Sequence, residues 1–253
     1  QCLWKLQIMK VLVLVVFLTV GLCQGAKLPE KWKQCSRGDG WLECLRDAVE
    51  FAITTTAREG LPSFGVPVLD PMHFDSLLID QSTGPVSIKL EFKDIDVTGM
   101  KDLVVKNIRG DWEQWQFDGE IPPPLTLSGG YVIQGKVLAL PIVGNGKCNL
   151  TFHDFKWSPI TVKFKEETKK GKRHLLIDNI NLNPETSLLQ MDFQNLFNGD
   201  EMLGKQMNIF LNENWPEIFG ELKPAVSKAF GAAYKDVGNR ILSKLTVEQV
   251  TGM

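Results

Sequence analysis

Between Asn214 and Leu245 the apolar side chains recur every three or four residues: Trp215, Phe219, Leu222, Val226, Phe230, Ala233, Val237, Ile241 and Leu245. That spacing predicts a helix with one apolar stripe. Asn214 is placed to cap its start, and Pro216 fits the first turn, where a missing backbone N–H does no harm. At about 1.5 Å per residue, roughly 30 residues make a rod of about 45 Å. Pro224 lies inside it and predicts a kink. Gly220, Gly231 and Gly238 interrupt the heptads and argue against a coiled coil. A rod this long, with Ala225, Ala229, Ala232 and Ala233 among its larger residues, needs a long partner surface.

The middle of the chain can supply that surface. From about Leu77 to Asp178 the period changes to two, with Val86, Ile88, Leu90 and Phe92 alternating with Ser87, Lys89, Glu91 and Lys93. Similar runs follow at residues 103–108, 112–117, 125–127, 131–140, 148–155, 161–166 and 174–180. Ser128-Gly129-Gly130, Gly144-Asn145-Gly146 and the basic tip from Lys169 to Lys172 read as turns. No helical crossovers intervene, so the runs predict antiparallel hairpins with one oily face. Residues 181–211 read as a link, with turns at Asn183-Pro184 and from Asn195 to Asp200. The fold class that follows is α+β: a highly curved antiparallel sheet wrapped around the C-terminal helix.

Ahead of the strands, Leu42, Leu45, Val49 and Ile53 mark one face of a helix from Trp41 to about Arg58, which Gly60 and Pro62 end. Residues 60–75 are punctuated by proline and read as an extended crossing segment. Cys35 and Cys44 flank Gly38-Asp39-Gly40, and in an oxidising compartment they are expected to form a disulfide contributing about 2–3 kcal/mol. Cys148 has no evident partner, which leaves a buried thiol or an intermolecular link.

Met9-Lys10 followed by the apolar run 11–22 has the shape of a secretory signal peptide cut after Gly25, with residues 1–8 as upstream sequence. The run is too short to span a bilayer comfortably. A single secreted domain, 26–253, is therefore expected. The formal net charge is −2, and loss of Lys5 and Lys10 with the leader takes it to −4. That balance argues against nucleic acid as a partner, and no later run is long enough for stable membrane insertion. A monomer is expected.

Catalytic signatures are missing: the sequence holds no G-x-S-x-G elbow, H-E-x-x-H, P-loop or G-x-G-x-x-G. His73, His153 and His174 stand far apart with no Cys or carboxylate at metal-ligand spacing, so neither a metal nor another cofactor is expected. Asn149-Leu150-Thr151 is an N-glycosylation sequon that would place Asn149 on the outer face of its strand. What the chain has in quantity is apolar bulk, including 14 Phe and 7 Trp. These residues fill a core, or they enclose a cavity for an apolar ligand.

The run from Phe210 to Pro224, Phe-Leu-Asn-Glu-Asn-Trp-Pro-Glu-Ile-Phe-Gly-Glu-Leu-Lys-Pro, resembles the C-terminal signature of the insect takeout and juvenile-hormone-binding family. The Cys35/Cys44 pair, Gly60-Leu-Pro with Leu69-Asp70-Pro71, the run Leu140-Pro-Ile-Val-Gly-Asn-Gly146 and Asn195-Leu-Phe-Asn-Gly199 agree with it, in order, along the mature chain. The resemblance implies a super-roll related to other lipid-binding folds, in which the curved sheet and the long helix enclose a hydrophobic tunnel. It implies a secreted, non-enzymatic carrier, in haemolymph or sensillar fluid, of juvenile hormone, another terpenoid or a fatty-acid-like lipid. It also implies a link to circadian, feeding or chemosensory physiology. The takeout branch fits better, because hormone carriers typically hold a second disulfide and place a tyrosine where Leu150 stands; Tyr131 and Tyr234 are the only tyrosines here. A dedicated hormone carrier and a signalling protein with a filled core are the rival readings.

By facing and pattern, one tunnel wall is expected from Trp215, Phe219, Leu222, Val226, Phe230, Ala233 and Val237. The other is expected from Ile88, Leu90, Phe92, Val132, Val137 and Leu138.

Overall fold

The computed structural model describes residues 26–36 and 38–251; the leader expected over residues 1–25 lies outside them. Helix α1, Trp41–Glu59, is followed by nine antiparallel strands: β1 Met72–Gln81, β2 Val86–Thr98, β3 Val104–Gly110, β4 Gln114–Ile121, β5 Leu125–Val137, β6 Leu140–His153, β7 Phe155–Lys169, β8 Lys172–Glu185 and β9 Leu188–Phe193. Three helices end the chain, α2 Glu201–Glu213, α3 Trp215–Leu242 and α4 Val247–Thr251. The strands form a five-stranded sheet, β1-β2-β5-β6-β9, and a four-stranded sheet, β3-β4-β7-β8. The expected α+β roll is present, built from two sheets, and their alternating inward residues meet α3 in one continuous core.

Several local expectations change. Ser128-Gly129-Gly130 and Gly144-Asn145-Gly146 are not turns; both lie inside the long β5–β6 ladder, the first paired with residues 147–149 and the second with residues 131–133. Glycine at 129 serves close approach, since a Cβ there would come within 2.5 Å of the Asp94 carbonyl oxygen on β2. Asn183-Pro184 lies within β8, where Pro184 pairs with Trp157. The segment read as a link holds β9 and α2. Asp200 starts α2 by accepting a hydrogen bond from the Leu203 N–H at 2.9 Å. Asn214 does not cap α3 with its side chain; its Nδ2 donates back to the Phe210 carbonyl and closes α2. Helix α3 continues through Pro224 and stops at Leu242.

A helix covers each edge of the four-stranded sheet, as open strand edges require. Helix α3 lies along β8, where Asn239 accepts from the Ile177 N–H at 2.8 Å and donates to its carbonyl at 3.0 Å. Ser227 Oγ accepts from the Leu182 N–H farther up the same strand. Gly231 permits this contact, because a Cβ there would meet the Ile180 carbonyl oxygen at 2.7 Å. On β3, Glu50 of α1 accepts from the Val105 N–H at 2.8 Å. Cys35 and Cys44 are bonded, with Cα atoms 5.8 Å apart, and tie the N-terminal arm to α1. Among the described residues no helix is long and apolar enough to cross a membrane.

Candidate functional site: an apolar cavity along the long helix

Helix α3 turns one stripe toward the inner face of the sheets, and there a cavity of about 90 Å³ opens. The helix supplies Ile218, Phe219, Leu222, Val226 and Phe230 to its wall. From Ile218 to Phe230 the axis rises about 18 Å, so the space is a slot rather than a chamber. Ile88 and Leu90 of β2, Ile133 and Val137 of β5, and Leu150 and Phe152 of β6 face the helix. Met191 and Phe193 of β9 meet Leu211 of α2 on the same wall. Phe155 and Trp157 of β7 close the far side.

The lining is hydrocarbon, aromatic or thioether, so a polar ligand group held along the stretch from Ile218 to Val226 would lose water without gaining a partner. Rings stiffen one side of the slot. Phe219 contacts Phe152, Phe152 contacts Phe155, Phe155 stands edge-on to Trp157, and Trp157 leans on Phe230, with centroids 4.8–5.8 Å apart.

Of the residues expected on the tunnel walls, Phe219, Leu222, Val226, Phe230, Ile88, Leu90 and Val137 come together around this cavity. Val132 does not: side chains alternate along β5, so it takes the outer face beside Tyr131 and Ile133 and is 38% exposed. Leu138 sits in the turn after β5 with φ of 54°. Phe92 is buried in the core, farther along β2 than the slot. Trp215, Ala233 and Val237 pack against the core off the cavity wall. Trp215 precedes and Ala233 and Val237 follow the stretch of α3 from Ile218 to Phe230 that lines the cavity. The β9 and α2 contribution escaped the sequence reading, although Leu211 stands three or four residues from Met207, Asn208 and Trp215 on a helical period.

The other singled-out residues lie elsewhere. Asn149 is exposed on the outer face of β6, opposite Ser128 and Asp192. Cys148 is a buried free thiol whose pKa is pushed up to about 12, first by burial and then by Asp192. His174 is buried and its Nδ1 lies 2.7 Å from the Leu245 carbonyl oxygen; His153 pairs with Gln190. His73 corrects the expectation of isolated histidines. Pairing of β1 with β2 brings Asp96 to its Nδ1 at 2.9 Å, and Asp75 and Asp94 complete an exposed cluster.

Comparison with known proteins agrees with this geometry. The sequence profile of the haemolymph juvenile hormone binding protein (JHBP) family matches residues 11–252. The crystal structure of Takeout 1 from Epiphyas postvittana superposes with a TM-score of 0.71 at 26% identity, covering 86% of this chain and 98% of that one. The circadian clock-controlled protein daywake of Drosophila melanogaster is 22% identical over 211 residues, 76% of this chain and 77% of the relative. Its Drosophila yakuba counterpart is 21% identical over 194 residues, covering 71% and 72%. The chain belongs to the takeout and haemolymph juvenile hormone binding protein family.

Proposed function

We propose that the protein is a secreted carrier of a hydrophobic small molecule, held in the slot between α3 and the sheets. The observation that carries this is the wholly apolar wall from Ile218 to Phe230 within a fold shared with Takeout 1. Binding is driven by desolvation. Burying about 400 Å² of ligand surface at about 25 cal/mol per Å² offers about 10 kcal/mol before association costs. A long, narrow space favours an extended chain, an isoprenoid or a fatty-acid-like lipid, over a compact ring system. At about 90 Å³ the slot must widen to admit one, and the unbranched Met191 is the most adaptable side chain of its wall.

Family membership supports a carrier rather than an enzyme. Secretion is supported by the Cys35–Cys44 disulfide, which belongs in an oxidising compartment. A glycan on Asn149 would project from an exposed strand position. The likeness to two clock-controlled proteins supports a daily rhythm in abundance, measured as transcript level through a light–dark cycle. A dedicated juvenile-hormone carrier would need a polar contact for that ligand, and Leu150 brings only hydrocarbon to the wall.

The direct test is uptake of an apolar fluorescent probe. The wild type is expected to bind it and to release it to long-chain competitors, whereas Val226→Asp is expected to lose uptake. Undiminished uptake by a folded Val226→Asp variant would remove the slot from the binding site.

A further inference from the structure

The intervals of four that place Leu222, Val226 and Phe230 on the cavity continue to Tyr234. Its ring stands 6.0 Å from that of Phe230 and edge-on to Trp157 at 6.1 Å, at the C-terminal end of the slot. The Tyr234 hydroxyl donates to the Met100 sulfur at 3.7 Å, a weak acceptor. Nearby, Trp157 is 2% exposed and its Nε1 is buried without a hydrogen-bond partner. Behind an apolar wall the Tyr234 hydroxyl therefore has only a thioether to donate to, and the Trp157 Nε1 has no acceptor. A buried donor left without an acceptor costs about 1–3 kcal/mol, so such a pair calls for an occupant.

Met100 is suited to give way. It is unbranched, sits in the short 3-10 turn Met100–Asp102, and is only partly buried. Lys101 beside it is turned to the Asp70 carboxylate, 4.0 Å away, and brings no charge to the pair. Burial drives the Tyr234 phenol pKa well above its ordinary value, opposed by the Trp157 indole, which stands close to the hydroxyl but outside hydrogen-bond geometry, so the hydroxyl stays a donor at neutral pH.

We infer that Tyr234 Oη and Trp157 Nε1 form the polar anchor of the slot, donating to one uncharged oxygen acceptor of the ligand when the Met100 thioether swings aside. The ligand chain then lies from Phe230 toward Ile218. An ester, ketone or aldehyde oxygen fits two donors with no cation beside them. A free carboxylate would be buried without a counter-charge.

This inference rests on the carrier reading, and the experiment separates the two. An alkane, its methyl ester and its free acid, matched in chain length, compete with a bound apolar dye on the wild type, Tyr234→Phe and Trp157→Phe. The ester is expected to bind the wild type about tenfold more tightly than the alkane. Tyr234→Phe is expected to lose most of that preference while keeping its alkane affinity, which also shows that it has folded; Trp157→Phe alters the wall itself and is expected to lower the ratio of ester to alkane affinity. Equal binding of ester and alkane by the wild type, or a preference that survives in Tyr234→Phe, would overturn the anchor and assign the two donors to a buried water. Failure of the wild type to take any of the three would defeat the carrier reading and the anchor with it.

Discussion

Asn208 of α2 meets the backbone of Phe193 twice, accepting from its N–H at 2.9 Å and donating to its carbonyl at 2.8 Å. One turn later Asn212 repeats this with Met191, at 2.8 and 2.7 Å. Four residues of helix rise about 6.0 Å and two residues of strand about 6.6 Å, so the two registers match. Helix α2 thus replaces the missing neighbour of β9, and the two strand residues it holds are both on the cavity wall.

Replacing Asn208 and Asn212 by alanine leaves four partly buried backbone groups without these partners. The double variant is expected to lose about 2–5 kcal/mol and to melt about 5–15 °C lower. Thermal unfolding followed by circular dichroism checks this. Aspartate at either position keeps the acceptor and loses the donor, so it should fall in between.

Hydrogen bonding to Asp96 raises the pKa of His73 above its ordinary value. A raised folded-state pKa stabilises the protein below the unfolded pKa of about 6.5, and that contribution is lost as pH rises through the folded value. The site is exposed, so the effect should be small and screened by salt. Proton NMR titration is expected to find His73 titrating above an ordinary histidine, and Asp96→Asn is expected to bring it down.

Burial and Asp192 hold the Cys148 thiol up at about 12, leaving almost no thiolate at neutral pH. Native protein is expected to resist iodoacetamide at that position, with mass spectrometry showing alkylation only after unfolding. Rapid native labelling would contradict the buried placement.

Serine at both Cys35 and Cys44 is expected to cost about 2–3 kcal/mol in the chain-entropy picture. Among the described residues of that loop none lines the cavity, so probe uptake at 25 °C should be retained. Denaturant titration alongside uptake measures the two separately.

Much of this fold was legible because two periods dominate the chain. The stripe from Phe219 to Phe230 and the alternation from Val86 to Phe92 each lie where the pattern puts them. What stayed hidden depended on neighbours distant in sequence. Gly129 looks like a turn residue until β2 passes against it, and Gly144 until the Tyr131 hydroxyl and Leu196 do. Pro184 looks like a breaker until β8 is seen to be an edge strand, which tolerates a lost donor. Asn208, Asn212 and Asn214 lower helix propensity locally, and only the backbone of β9 explains the first two. The cavity was half legible for a similar reason: a stripe names a face of α3, but which of its residues meet empty space depends on the strands opposite.

The most direct test is native mass spectrometry of the protein secreted from insect cells, followed by extraction of whatever it carries. A stoichiometric apolar adduct that is lost from Val226→Asp is the expected result. An apo mass that stays unchanged after incubation with juvenile hormone and with long-chain esters and acids would contradict a carrier and mean that the slot is simply core.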